Sequence, residues 1–548
     1  MSRQYKKLIT ISVFVIIGGI LLIASPDQKT PIHTPADQAQ QPAASKPSHP
    51  NIPAQTTNST SAADTNQSKE KLTSPTIQSN PDRPQIPYYL LASVNDPLFG
   101  SGWYHSKIQT TRAWDLTTGS TSKTVAVIDT GFELNHEDLT GKWYQNNAEI
   151  GLTQNGGVCW TGSATNKSTN NCDDDQNGYV DDWRGYDFFY GDNSPQAGQV
   201  NPSGEGTQHA TLVSGVVAAT TNNTKGSAGV DQNTRILPLQ VFSDDGEAYT
   251  DDLVAAIDYA TDMNADVINL SLGTNQYDNT LLSAINRART NGTLVIAASG
   301  NCALNDEEFC NNLTAPGRMT YPALYQSVIA VGATTSSDQR ASYSSYGPEL
   351  DITAPGSSIG PLPIYNGSTI NSYATASGTS FAAPLTAGLA SLLMAQNPNA
   401  TISQIENLLT ESADKVSAMN NQIFTNEFGN GRINAHKATL LGLAKTQENL
   451  LGSPLTSPRQ AAVGRLWRTS SGVVSNDEFV LVGCRVFETD ICSATAENNT
   501  VYRFTPANKQ KGDAIQYIFI NGSGLPNGTS KISVHNHEYA SFITTITK

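Results

Sequence analysis

Ser380 lies in Ser377-Gly378-Thr379-Ser380-Phe381-Ala382-Ala383-Pro384, followed by an apolar run at helical spacing through Leu385, Leu389, Leu392 and Leu393. This pattern puts the hydroxyl at the mouth of a helix, where free N–H groups and the helix dipole favour developing negative charge. Small neighbours admit a substrate backbone. An unassisted serine hydroxyl is a poor nucleophile at neutral pH, so it needs a base. Two further stretches offer one. Thr124-Val125-Ala126-Val127-Ile128 ends in Asp129-Thr130-Gly131. It reads as a buried parallel strand with a carboxylate at its carboxyl end, where open α/β sheets place their chemistry. Gly206-Thr207-Gln208-His209 opens the small and apolar run Ala210-Thr211-Leu212-Val213-Ser214-Gly215. That run suits a buried helix with an imidazole at its start. Aspartate, histidine and serine together can run acyl transfer.

Each residue has a plainer reading. Asp-Thr-Gly is often a strand end before a turn, and it also marks peptidases with two paired carboxylates. That second chemistry needs two such motifs or a small homodimer, and this chain carries one motif in 548 residues. His209 competes with His136 and His436 among 8 histidines. Asn301 follows the apolar strand Thr293-Leu294-Val295-Ile296-Ala297 and then Gly300, a place where an asparagine also caps turns.

Four blocks in one order decide between these readings. They are Val125–Gly131 with Asn135-His136-Glu137-Asp138-Leu139, then His209–Gly215, then Ala297-Ala298-Ser299-Gly300-Asn301, then Gly378–Pro384. Over roughly residues 95–440 the chain resembles the subtilisin-like serine peptidases (subtilases), whose chain order is Asp, His, Ser. The resemblance implies a mostly parallel α/β sheet flanked by helices and an exported serine endopeptidase acting on proteins or peptides. It assigns Ser380 as nucleophile, His209 as general base and Asp129 as the partner that orients the imidazole. Asn301 becomes the oxyanion donor. Four positions depart from the family pattern: Ala210 stands for glycine, Leu212 for a second histidine, and Leu385-Thr386 for His-Val. Ala210, the missing prodomain and an extra C-terminal β domain motivate an alternative, a catalytically silent surface or binding protein on the same scaffold.

The resemblance also implies substrate contacts. Asp266-Val267-Ile268-Asn269-Leu270-Ser271-Leu272-Gly273 is similar to the family strand whose edge pairs with an extended substrate. Ser271, Leu272 and Gly273 are the expected contacts, and strand addition of this kind uses main-chain hydrogen bonds. Thr320 in Thr320-Tyr321-Pro322 is expected at the floor of the primary pocket, making it shallow.

Asp173-Asp174-Asp175-Gln176-Asn177-Gly178-Tyr179-Val180-Asp181-Asp182 is a second chemical centre. Asp173, Asp175, Asn177 and Asp181 fall at positions 1, 3, 5 and 9 of an EF-hand loop, and Gly178 at its turn. Position 12 is Arg184, so the loop is not an EF-hand. The expectation is a structural calcium site of the kind several subtilases carry, with Asp182 completing the shell. A solvated acidic turn is the alternative.

The remaining chain sets context. Arg3, Lys6 and Lys7 precede an apolar run from Leu8 to Ala24, so residues 1–25 read as a signal peptide or membrane anchor. Either one exports the rest of the chain, to the cell surface or beyond. Residues 26–90, rich in Pro, Ser, Thr and Gln, are expected to form a disordered stalk, with no folded inhibitory prodomain. The catalytic domain is expected at 95–444, a linker at 445–477 and a small antiparallel β domain at 478–548. By proximity the 6 cysteines pair as Cys159 with Cys172, Cys302 with Cys310 and Cys484 with Cys492. Zinc is the weaker reading of those cysteines. A net charge of −15 disfavours nucleic acid and anionic membrane surfaces as partners. A monomer is expected.

Overall fold

The structure is a computed structural model. It describes residues 12–13, 94–304, 310, 317–367 and 371–448, together with 464–467, 478–487, 492–496, 501–503, 513–525, 529–536 and 540–547. The expected stalk lies outside the described residues, as does the apolar run Leu8–Ala24 apart from Ser12–Val13.

Seven parallel strands form the central sheet. Their order across it is Tyr186–Asp187, Arg235–Gln240, Thr124–Asp129, Val267–Leu270, Leu294–Ala298, Ile329–Thr334 and Ile352–Pro355. Side chains alternate between its two faces with the period of a strand. Val125 and Val127 join one core cluster, Ala126 and Ile128 the other. Val267 and Ile268 divide the same way, as do Ile296 and Ala297. Both faces are therefore apolar, which explains why the strands read as unbroken hydrophobic runs.

Helices cover each face. His209–Ala218, Thr379–Gln396 and Ala435–Thr446 contribute Val213, Leu389 and Leu440 to one cluster. Thr250–Asp262 and Asn279–Thr290 contribute Leu253 and Leu281 to the other. The helix Thr379–Gln396 is buried from Thr379 through Met394. It is polar on no face, so it can only run through the interior.

This is the mostly parallel, subtilisin-like α/β fold that the blocks imply. Two small antiparallel sheets lie at the C-terminal end. One joins Gly464–Trp467, Phe479–Phe487 and Asp513–Asn521; the other joins Val501–Arg503, Cys492–Ala496, Thr529–Asn536 and Ala540–Thr547. Gly464–Trp467 falls inside the stretch expected to be a linker. Its main chain pairs with Leu481–Cys484, so long-range pairing fixes it where local composition reads as loop. Leu481 is buried in the same cluster as the helix Ala435–Thr446. Lys437 Nζ lies 4.2 Å from the Phe479 ring centroid, and the Tyr517 hydroxyl donates to Glu448 at 2.7 Å.

Cys159–Cys172 and Cys302–Cys310 are disulfides, and Cys484 is disulfide-bonded as well. No helix among the described residues is long and apolar enough to cross a membrane.

Candidate active site

The strand Thr124–Asp129 ends on Asp129, and the helix His209–Ala218 begins on His209. The two meet at the carboxyl edge of the sheet. His209 Nδ1 and Asp129 Oδ1 are 2.6 Å apart, with His209 1% and Asp129 0% exposed. Water is excluded, so this charge-assisted contact is stronger than the same pair in solvent. Thr130 holds both sides of it. Its N–H donates to Asp129 Oδ1 at 2.7 Å, and its hydroxyl accepts the Ala210 N–H at 3.0 Å. The Phe381 ring packs 5.7 Å from the imidazole. His209 Nε2 is buried and makes no hydrogen bond, so one ring nitrogen is committed to Asp129 and the other is not.

Ser380 is the second residue of the helix Thr379–Gln396 and is fully buried. Its hydroxyl donates to the Ser271 carbonyl at 3.2 Å. Asn301 follows the strand Leu294–Ala298 across a turn at Gly300, whose φ of 106° excludes a side chain. A Cβ there would also sit 3.0 Å from Thr320 Cγ2. Asn301 Oδ1 accepts from the Thr379 N–H at 3.0 Å and from its hydroxyl at 2.9 Å. The carbonyl end of the amide is thereby fixed toward Thr379, which leaves Nδ2 as the end that can face a reacting carbonyl.

The departures from the family pattern are absorbed locally. Ala210 is 0% exposed, and Leu212 sits in the hydrophobic core at 4%. Neither brings an unpaired polar group into the helix.

Ser271 follows the strand Val267–Leu270. It is fully buried, and its hydroxyl lies between Asn269 Nδ2 at 3.0 Å and the Ser380 carbonyl at 2.8 Å. Leu272 and Gly273 pair antiparallel with Val13 and Ser12, so this edge takes an added strand. Thr320 is fully buried, and the next residue, Tyr321, exchanges main-chain hydrogen bonds with Thr274. The expected pocket floor is thus stitched to the end of the expected substrate edge.

The acidic loop divides. Asp181 accepts the N–H groups of Asn170 and Asn171, one on each oxygen, at 3.1 and 3.0 Å. Asp182 accepts from Asn146 and, on its other oxygen, from Asn177 and the Tyr259 hydroxyl. Asn177 Oδ1 accepts the Tyr179 N–H. These three residues frame the loop. Asp173 and Asp175 instead converge with Glu149, one oxygen of each lying within 4.8 Å of the others. Sequence reasoning missed Glu149, which stands 24 residues before Asp173 with no local motif. Glu149 is fully buried, its Oε1 accepts the N–H groups of Asp174 and Asp175, and its Oε2 has no partner. Burial, outweighing those N–H contacts, pushes its carboxyl up to about 7.

The model of the subtilase family (Peptidase S8) matches residues 120–431. Thermophilic serine proteinase of Bacillus sp. (strain AK1) is 35% identical over 326 residues, covering 60% of this chain and 64% of that protein. Thermitase of Thermoactinomyces vulgaris is 34% identical over 345 residues, covering 63% of this chain and 98% of thermitase. Halolysin-like extracellular serine protease Nep of Natrialba magadii is 28% identical over 351 residues, covering 64% of this chain and 53% of that protein. With its family blocks in order on a parallel sheet flanked by helices, this chain belongs to the subtilase family of subtilisin-like serine peptidases.

Proposed function

We propose that the protein is an exported serine endopeptidase working through Asp129, His209 and Ser380. The 2.6 Å contact between His209 Nδ1 and Asp129 Oδ1, with Nε2 left uncommitted, carries this reading. Asp129 holds the proton of the neutral imidazole on Nδ1, so Nε2 presents a lone pair. A substrate lies along Leu272–Gly273, and the Ser380 hydroxyl turns from the Ser271 carbonyl to His209. Ser380 Oγ attacks the peptide carbonyl while His209 takes its proton. Asn301 Nδ2 and a main-chain N–H at the helix start stabilise the oxyanion. His209 returns the proton to the leaving amine, and water then hydrolyses the acyl-enzyme by the same route.

Glu149, Asp173 and Asp175 fit a calcium ion. All three supply hard oxygen donors, and the unpartnered Glu149 Oε2 is a buried carboxylate oxygen that a cation would satisfy. Calcium supplies charge neutralisation there and no chemistry. Asp181, Asp182 and Asn177 hold the loop in shape.

Export rests on the basic and apolar N-terminal residues and is in line with the extracellular description of its relative Nep. Membrane attachment through residues 1–25 is the finer form of the same reading.

A fluorophosphonate probe tests the whole. In calcium, the parent is labelled on Ser380, while Ser380→Ala and His209→Ala are not. A folded parent that stays unlabelled overturns the proposal in favour of a silent scaffold.

A further inference from the structure

The main chain around Asn301 is gripped on both sides by one residue, Ser345. The Ser345 N–H donates to the Gly300 carbonyl at 2.8 Å, and the Ser345 hydroxyl oxygen accepts the Cys302 N–H at 3.0 Å. The Ser345 carbonyl accepts the Ser299 hydroxyl at 3.0 Å. Residues 299, 300 and 302 are thus tied to Ser345, and Asn301 stands between the ties. Ser299, Cys302 and Ser345 are fully buried, where an unmade hydrogen bond is costly. Ser345 belongs to a segment that is itself anchored. Two residues earlier, the Tyr343 carbonyl accepts the Ala303 N–H at 3.1 Å, and the Tyr343 hydroxyl donates to the Gly356 carbonyl at 2.7 Å. The same Gly356 carbonyl accepts the Gly378 N–H at 2.9 Å, from the turn that leads into Thr379 and Ser380. Residues 343–345 therefore touch the Asn301 loop directly and reach the turn before Ser380 through one shared carbonyl.

We infer that Ser345 is a positioning residue for the proposed oxyanion donor: its N–H, carbonyl and hydroxyl together hold the main chain on both sides of Asn301. This rests on the peptidase reading above. Donors stabilise a developing oxyanion best when they are fixed before the charge appears, because nothing then has to reorganise. Two contacts divide that task. Thr379 turns the Asn301 amide through its oxygen, and Ser345 fixes the main chain from which the side chain extends. The tie to Cys302 comes from a side chain, so it can be removed by substitution while the main-chain tie to Gly300 stays.

The test is a double-mutant cycle on the full chain in calcium, read as kcat and KM for a chromogenic peptide anilide. Ser345→Ala removes the acceptor of the Cys302 N–H. Its kcat falls about tenfold, as expected for a slightly misplaced group, with KM unchanged. In the Asn301→Ala background the same substitution costs less than about twofold, because the donor it positions is already gone. A role in general stability predicts the same loss in both backgrounds. Equal losses therefore overturn the inference, as does Ser345→Ala within twofold of the parent, or a loss confined to KM. If Ser345→Ala does not melt cooperatively, Ser299→Ala, which removes the hydroxyl that donates to the Ser345 carbonyl, runs the same cycle under the same outcomes. Asn301→Ala as active as the parent removes the oxyanion donor and this inference with it. A folded parent without turnover overturns the peptidase reading itself, and the parent's own result tells that failure apart.

Discussion

The side-chain oxygen of Asn301 accepts two hydrogen bonds from Thr379, one from its N–H and one from its hydroxyl. The residue before the proposed nucleophile thus orients the proposed oxyanion donor, and the two candidate residues are held as one piece. Asn301→Ala should lower turnover by about 10²–10³, the magnitude known for loss of this donor in subtilisin itself, a relative of this chain. Binding should change little. Thr379→Val keeps the N–H and loses the hydroxyl, so its loss should be smaller. Steady-state kinetics on one chromogenic peptide would check both; equal losses in the two variants would contradict the anchoring role.

Asp129→Asn should lower turnover about 10⁴-fold by permitting the wrong imidazole tautomer. Nearly normal folding is expected, since the Thr130 N–H retains an oxygen acceptor. Circular dichroism melting beside the kinetics separates the two effects.

Calcium should raise the melting temperature, and the gain should depend on Glu149 and Asp173 more than on Asp181. Saturation at about 100 times the dissociation constant adds about 2.7 kcal/mol to folding. Glu149→Gln and Asp173→Asn should lose most of that gain and most terbium luminescence at this loop. Asp181→Asn should still take up terbium while melting lower, because one of the two main-chain N–H groups it accepts then faces an amide nitrogen. Full terbium uptake by Glu149→Gln would remove Glu149 from the ligand set.

Burial, with lesser repulsion from Asp192 and Asp244, pushes the Asp187 carboxyl up to about 8. The folded state therefore holds this proton more tightly than the unfolded chain does. Stability from this group is fully present below pH about 4 and is lost as pH rises to about 8, by up to about 1.4 kcal/mol per pH unit. In EDTA, the parent should lose stability across that window, and Asp187→Asn should lose less. Chemical denaturation at pH 5, 6.5 and 8 would measure it; parallel curves for the two proteins would refute it.

Cys302 follows Asn301 directly, and its N–H donates to Ser345 Oγ at 3.0 Å. Closing the small loop to Cys310 constrains the unfolded chain by about 2–3 kcal/mol. Cys302→Ser with Cys310→Ser should melt lower. It should also turn over more slowly at temperatures where it is still folded, because the oxyanion loop loses a tether. Unchanged turnover in the folded variant would limit the disulfide to stability.

The sheet and its flanking helices were legible because both faces are buried, which writes each strand as an apolar run and each helix as an apolar period. The candidate triad was legible for a related reason. Asp129, His209 and Ser380 each sit at an element's end, and local pattern marks such ends. Gly464–Trp467 was not legible as a strand, since its pairing partner lies across an intervening stretch of chain.

Read by itself, the sequence marked the candidate groups and the element that presents each one. Tertiary structure alone decided what those groups touch. It paired the Ser271 hydroxyl with the Ser380 carbonyl, 109 residues away, and it set Asp181 and Asp182 in hydrogen bonds to Asn170 and Asn177. It also brought Glu149 to the acidic loop, 25 residues from Asp174. Periodicity and propensity act over a turn or a strand, whereas these contacts depend on how separate strands and helices pack. A hydrogen bond across that distance leaves no mark on the residues next to it.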